Sequence, residues 1–169
     1  MMKVPSLYSK EVMKHFKNPK NVGKIKNPDG TGRVGNLICG DIMELYIKVK
    51  NERISDIKFQ TFGCVVALAV SSMLTEIAKG KTIKEALKIT NKGIIKKSGP
   101  VPSIKVHCSI LAADALHEAI YDYLSKNNKS IPEELKRTHE RILNSLKEVE
   151  RTHKEFTDLE ERIIKQKSL

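Results

Sequence analysis

The apolar positions in the first third of the chain predict one short helix followed by a small sheet. Residues 7–16 place their apolar side chains at helical spacing. Residues 43–49 and 54–62 alternate apolar and polar side chains, which is typical of the two strands of a hairpin. A third strand is expected at residues 33–38, immediately before the hairpin. The pattern therefore predicts a three-stranded antiparallel sheet with one face that other elements must cover.

The middle of the chain predicts the helices that cover this face. Residues 65–79 are almost all apolar or small, so a helix there would be largely buried. A capping-box sequence at Thr82 begins an amphipathic helix that is expected to end near Asn91. Residues 108–126 place their apolar side chains on one helical face. Strands followed by helices predict an α+β domain rather than an alternating parallel sheet.

The segment after residue 128 predicts a long C-terminal amphipathic helix. Its apolar residues recur at every seventh position, namely Leu135, Ile142, Val149, Phe156 and Ile163. A helix with this stripe packs on the body of the protein or on a second copy, and we expect it to mediate self-association into a homo-oligomer or docking of a partner. His139 and His153 lie at the edge of the stripe and are interpreted as boundary residues, not metal ligands. The chain thus divides into a domain at residues 1–128 and a helical extension at residues 129–169.

Charge and composition exclude some classes of function. The formal net charge is +11, and residues 1–128 carry 21 basic against 11 acidic residues. Aromatic residues make up only 5% of the chain, Trp is absent, and no DNA- or RNA-binding motif accompanies the charge, so nucleic acid is not an expected partner. No apolar run reaches the roughly 20 residues of a membrane span, and no secretion signal is recognisable. A protein of the cytoplasm, away from membranes, is therefore expected.

Three cysteines carry the candidate chemistry, and each falls at a junction between predicted elements. An odd number of cysteines without an export signal argues against a disulfide framework for Cys39, Cys64 and Cys108. The last two begin predicted helices, whose N-termini stabilise a thiolate. Their spacing matches no zinc finger, and a basic binding module with incidental thiols stays open. With Asp41 and His107 as neighbours, the cysteines nevertheless predict a metal or sulfur site.

Several segments resemble, in the same order, the NifU-like, IscU-type scaffolds for iron-sulfur cluster assembly. They are residues 7–21, 35–41, 62–64, 71–76 and 105–109. The similarity extends from about residue 7 to residue 127 and does not explain the C-terminal extension. It implies a scaffold rather than an enzyme. Such a scaffold receives sulfur from a cysteine desulfurase, binds iron, builds a transient 2Fe-2S cluster, and transfers the cluster to recipient apoproteins.

The resemblance also assigns roles to individual residues. It implies that the cluster ligands and sulfur acceptors are Cys39, Cys64 and Cys108, that Asp41 is a weaker fourth ligand, that His107 is an alternative fourth ligand, and that Lys105 is a charge partner beside the site. A carboxylate holds iron less firmly than a thiolate does, which suits a scaffold that must release its cluster. The same ligands suit zinc, so zinc could occupy the purified protein, and a zinc-dependent sulfurtransferase is the alternative function.

Overall fold

Three antiparallel strands form the sheet in the order β1, β2, β3. The computed structural model describes residues 7–36 and 40–167, and of residues 153 and 156–167 it describes the backbone alone. The strands are β1 (Gly30–Gly35), β2 (Ile42–Lys50) and β3 (Arg53–Phe62). Asn51 and Glu52 join β2 to β3 with φ angles of 52° and 57°, the left-handed backbone that tight hairpins require. The predicted antiparallel sheet is confirmed.

The first strand begins at Gly30 and not at residue 33 as expected. Its first residues include two glycines, which form its contact with a helix. A Cβ atom on Gly30 would lie 2.1 Å from the carbonyl oxygen of Ala119, and one on Gly32 would lie 2.1 Å from that of Ala115. Glycine is poor in strand propensity, so the sequence pattern placed the strand at residues 33–38 instead. The absence of side chains here lets a helix pack directly on the strand backbone.

Six α-helices accompany the sheet in the part of the chain that the structure describes. They are α1 (Lys10–Lys17), α2 (Val65–Ala78), α3 (Ile83–Ala86), α4 (Asn91–Ser98), α5 (Val106–Lys126) and α6 (Glu133–Lys167), with a 3-10 turn at Ser103–Lys105. Helices α2 and α5 cover the inner face of the sheet, as expected for an α+β domain. None of these described helices combines the length and the hydropathy that a membrane-spanning helix requires.

The prediction of a single helix between Thr82 and Asn91 is wrong, because two separate helices, α3 and α4, begin in this region. The capping box is present, since Thr82 Oγ1 accepts from the Glu85 N–H and the Glu85 carboxylate accepts from the Thr82 N–H. The helix that it begins nevertheless ends after four residues. A second N-cap follows at Thr90, whose side chain accepts from the Gly93 N–H, and it begins α4. Local capping thus outweighs the continuous apolar pattern.

The first half of α6 packs on the body of the protein. Leu135, Ile142 and Val149 are 6%, 3% and 2% exposed, and the helix contacts α5 and β1. The sequence left open whether the apolar stripe packs on the body of the protein or on a second copy. In this half of the helix it packs on the body. The side chains of Phe156 and Ile163 lie outside the described part of the chain. Self-association through α6 and the division at residue 128 therefore stay predictions.

Candidate metal centre

Three separate elements bring two thiols and one carboxylate together. Cys64 is the N-cap of α2, Cys108 lies in the first turn of α5, and Asp41 immediately precedes β2. The two Sγ atoms are 3.6 Å apart, and Cys108 Sγ lies 3.9 Å from Asp41 Oδ2. Both described cysteines are free thiols. The structure therefore brings together three of the residues that the sequence nominated as ligands.

His107 completes this group of potential metal ligands. One ligand atom from each of Asp41, His107 and Cys108 lies within 4.8 Å of the others. The Nε2 atom of His107 is buried and has no hydrogen-bond partner among the described residues. A buried polar atom without a partner costs free energy, and a metal ion bound to this nitrogen would remove that cost. Thiol, carboxylate and imidazole ligands together suit iron in a cluster or zinc.

A tight backbone stem positions Asp41. The Asn36 N–H donates to the Asp41 carbonyl oxygen at 3.0 Å, and the Gly40 N–H donates to the Asn36 carbonyl oxygen at 2.8 Å. Gly40 has a φ of 68°, which favours glycine. Cys39 lies between these residues in the sequence and outside the described residues, so its place at the site stays a prediction.

Gly63 is a site residue whose role the sequence analysis did not identify. A Cβ atom at this position would lie 2.9 Å from Ala67 Cβ and 3.0 Å from Asp41 Cγ. Only glycine therefore lets the Asp41 carboxylate lie against this backbone. The signal in the sequence was a glycine directly before a cysteine at a strand end, but its contact with Asp41 depends on the pairing of β2 with β3.

Cys108 does not begin α5 as expected. The 3-10 turn at Ser103–Lys105 leads directly into the helix, so Val106 and His107 already belong to its first turn. Cys108 is the third helical residue and still lies among the unpaired N–H groups that favour a thiolate. Lys105 is half-buried and forms no ion pair with another described residue of the site. Its role as a charge partner stays a prediction.

The site lies beside an exposed apolar surface. Phe62, two residues before Cys64, is 84% exposed, and Ile104, four residues before Cys108, is 74% exposed. Cys64 is itself half-buried, whereas Cys108 and Asp41 are buried. The Cys64 thiol is therefore accessible from the surface, while the Cys108 thiol and the Asp41 carboxylate are shielded.

Comparison with known proteins identifies the family. Residues 7–130 match the model of the NifU-like N terminal domain. The chain is 62% identical over 123 residues to a protein of Archaeoglobus fulgidus named "Iron-sulfur cluster assembly scaffold protein IscU 1", covering 73% of this chain and 80% of the relative. It is 48% identical over 124 residues to the "Iron-sulfur cluster assembly scaffold protein IscU" of Aquifex aeolicus, covering 72% and 79%.

A solved structure shares the fold. The crystal structure of the N-terminal part of a NifU-like protein from Brucella abortus superposes with a TM-score of 0.59 at 20% identity, covering 71% of this chain and 96% of that one. The family match, the identities and the shared fold agree with one another. This chain belongs to the NifU-like family and is of its IscU type.

Proposed function

We propose that the chain is a scaffold, not an enzyme, on which an iron-sulfur cluster is assembled before transfer to other proteins. The names of its relatives support this function. The observation that carries it is that Cys108 Sγ lies 3.6 Å from Cys64 Sγ and 3.9 Å from Asp41 Oδ2. The buried Nε2 atom of His107 beside them has no hydrogen-bond partner among the described residues. The alternative of a zinc-dependent sulfurtransferase is not supported by those names.

The proposed ligands of a transient 2Fe-2S cluster are Cys39, Cys64, Cys108 and Asp41. The short distance between the Cys64 and Cys108 sulfur atoms allows both to bind one iron or two adjacent irons. The harder carboxylate oxygen of Asp41 binds iron less firmly than a fourth thiolate would. His107 is the alternative fourth ligand. Zinc competes for the same residues in the purified protein.

A cysteine desulfurase is the proposed source of sulfur. A thiolate of the site attacks the outer sulfur of the desulfurase persulfide, the sulfur–sulfur bond breaks, and the desulfurase thiolate leaves. Reduction of the new persulfide to sulfide needs two electrons per sulfur from a separate donor. The half-buried Cys64 thiol and the exposed Phe62 and Ile104 side chains support approach of a protein partner here. The proposed compartment is the cytoplasm, and recipient apoproteins are the proposed acceptors.

Anaerobic reconstitution with ferrous iron and sulfide tests this function. We expect about two irons and two sulfides per chain, with visible charge-transfer absorption. Replacing each cysteine in turn by serine is expected to shorten the life of the cluster, and addition of an apo-ferredoxin is expected to move the cluster to that protein. Failure to bind iron and sulfide, or zinc that iron cannot displace, would contradict the scaffold function.

A further inference from the structure

Helix α6 begins beyond residue 130, where the family match ends. It contacts two parts of the chain that carry the candidate ligands, which we call the two supports of the metal centre. One support is the end of β1 and the stem that leads to Asp41. The other is α5, which carries His107 and Cys108. The helix packs against both β1 and α5. Its contacts with each support are close and specific.

The first contact is with the last residue of β1. A Cβ atom on Gly35 would lie 3.2 Å from Leu146 Cδ1 and 3.4 Å from Val149 Cγ2, so α6 packs directly on the strand backbone. Glu150 adds an ion pair with Arg33 on the same strand, at 3.6 Å. The next residue, Asn36, forms the stem hydrogen bonds that hold Asp41. The Leu146 and Val149 side chains therefore pack against the backbone residue that directly precedes the stem.

The second contact is with the helix that carries the other ligands. Arg141 donates two hydrogen bonds, of 3.0 Å and 2.8 Å, to the carboxylate of Asp114. Asp114 is six residues after Cys108, about 9 Å along α5. The Asp114 side chain is only 14% exposed, which strengthens this pair relative to a fully hydrated one. Helix α6 is thus anchored to α5 close to the site.

We propose that α6 is a clasp that joins the two supports of the metal centre and slows release of its metal or cluster. Arg141, Leu146 and Val149 are its positioning residues. Ligands on separate elements bind one metal only while those elements keep their relative positions. Local opening of the stem therefore sets the rate at which the metal or cluster is released. The role in cluster release rests on the proposed function, whereas the effect on the stem does not.

Hydrogen exchange in the metal-free, full-length chain tests the clasp directly. Val149→Ala is expected to speed exchange of the Asn36 and Gly40 amides at least about fivefold, because it removes the packing on Gly35. Leu135→Ala is the matched control. Leu135 is buried in the same helix but lies about 21 Å from Val149, at the other end of the contact with the body. This control is expected to lower overall stability and leave the two amides protected.

A milder pair of variants covers the case in which Val149→Ala fails to fold. Leu146→Ala removes a half-buried contact with Gly35, and Leu143→Ala makes the same change one turn earlier at a 37% exposed position. Only Leu146→Ala is expected to speed hydrogen exchange of the Asn36 and Gly40 amides. The same variant alone is expected to speed the dissociation of Zn²⁺, measured with a chelator. Equal effects in test and control, or protected amides in both test variants, would overturn the clasp. If the native chain binds no metal, the proposed function fails while the exchange result still decides the clasp.

Discussion

The Asp41 carboxylate and the Ala67 methyl group both lie against the backbone of Gly63, where a Cβ atom would come within 3.0 Å of each. The pairing of Ile42 with Phe62 in the sheet brings the carboxylate and this backbone together. Asp41 is only 5% exposed, so its carboxylate cannot turn away into solvent without leaving the site. A change at Gly63 is therefore expected to act on Asp41, the proposed ligand.

Gly63→Ala is expected to weaken Zn²⁺ binding about tenfold and to lower the free energy of unfolding by about 1–3 kcal/mol. The new methyl group would overlap Asp41 Cγ and Ala67 Cβ. Chelator competition and urea unfolding measure the two effects. Gly93→Ala is the matched control, because its Cβ would meet only Thr90 Oγ1, at 3.9 Å. Equal zinc affinities in the two variants would show that Gly63 does not position the ligand.

Asp41→Ala is expected to slow the loss of a reconstituted cluster. In the proposed coordination the carboxylate is the ligand that an incoming thiolate displaces first, and without it His107 is expected to bind the iron more firmly. The decay of visible absorption in the presence of an apo-ferredoxin measures the rate. The double variant Asp41→Ala/His107→Ala is expected to lose the cluster quickly again. An unchanged rate in the single variant would argue against Asp41 as the labile ligand.

The sequence identifies the candidate ligands but not the contacts that hold them. Cys64 and Cys108 are conspicuous because cysteines are rare in this chain and both lie at junctions between elements. The contact between Gly63 and Asp41 joins positions 22 residues apart. It depends on strand register, which hydrophobic periodicity does not specify to the atom.

The interface between α5 and α6 contains a half-buried acidic group, Glu118. His139 Nδ1 lies 2.8 Å from Glu118 Oε1, and its ring stacks on Tyr121 with 3.7 Å between centroids. Burial raises the pKa of Glu118 above its ordinary value of 4.5, and Asp122 and Asp114 add to this effect, while His139 opposes it. His139 was interpreted as a boundary residue, and this position at the edge of the α6 stripe agrees with that interpretation.

Glu118→Gln is expected to become more stable relative to the native chain as the pH rises from about 4.5 to about 7. The folded chain holds the Glu118 proton more tightly than the unfolded chain does. The contribution of Glu118 to the free energy of unfolding is therefore largest below pH 4.5. It falls as the pH rises through the folded-state pKa of this group. Urea unfolding at several pH values measures the difference. Glu140→Gln, at an exposed position of α6, is the control. Parallel stability curves for Glu118→Gln and the native chain would contradict the prediction.

Periodicity predicts the long elements better than the short ones. The sequence places α2 to within one residue and predicts a long helix where α6 lies, because many residues contribute to each pattern. It misses α4, whose eight residues depend on one N-cap at Thr90. It also misplaces β1, whose glycines carry no apolar signal although they are the contact with α5.

Helix α6 completes the hydrophobic core of the protein. Leu135 and Ile142 belong to the same cluster of buried side chains as the sheet. Each buried aliphatic side chain contributes about 1.5–3 kcal/mol. The helix also packs on β1, an edge strand of the sheet. An extension outside the family match is thus integral to this fold.

Deletion of residues 130–169 is expected to lower the Tm by about 10 °C or more, because three buried apolar side chains lose their packing. Circular dichroism during heating measures the change. Deletion of residues 157–169 alone, which leaves Val149 in place, is expected to shift the Tm much less. Equal Tm values for the long deletion and the native chain would contradict this role of α6. Light scattering of the same proteins tests self-association through the helix.

Mössbauer spectroscopy of the reconstituted protein tests most directly whether three cysteines and Asp41 share one cluster. Two ferric sites of equal population are expected, one with sulfur ligands only and one with an oxygen ligand. In the variant Asp41→Cys, the two signals are expected to become alike. A single kind of ferric site in the native chain, or signals that Asp41→Cys leaves unchanged, would contradict the proposed coordination.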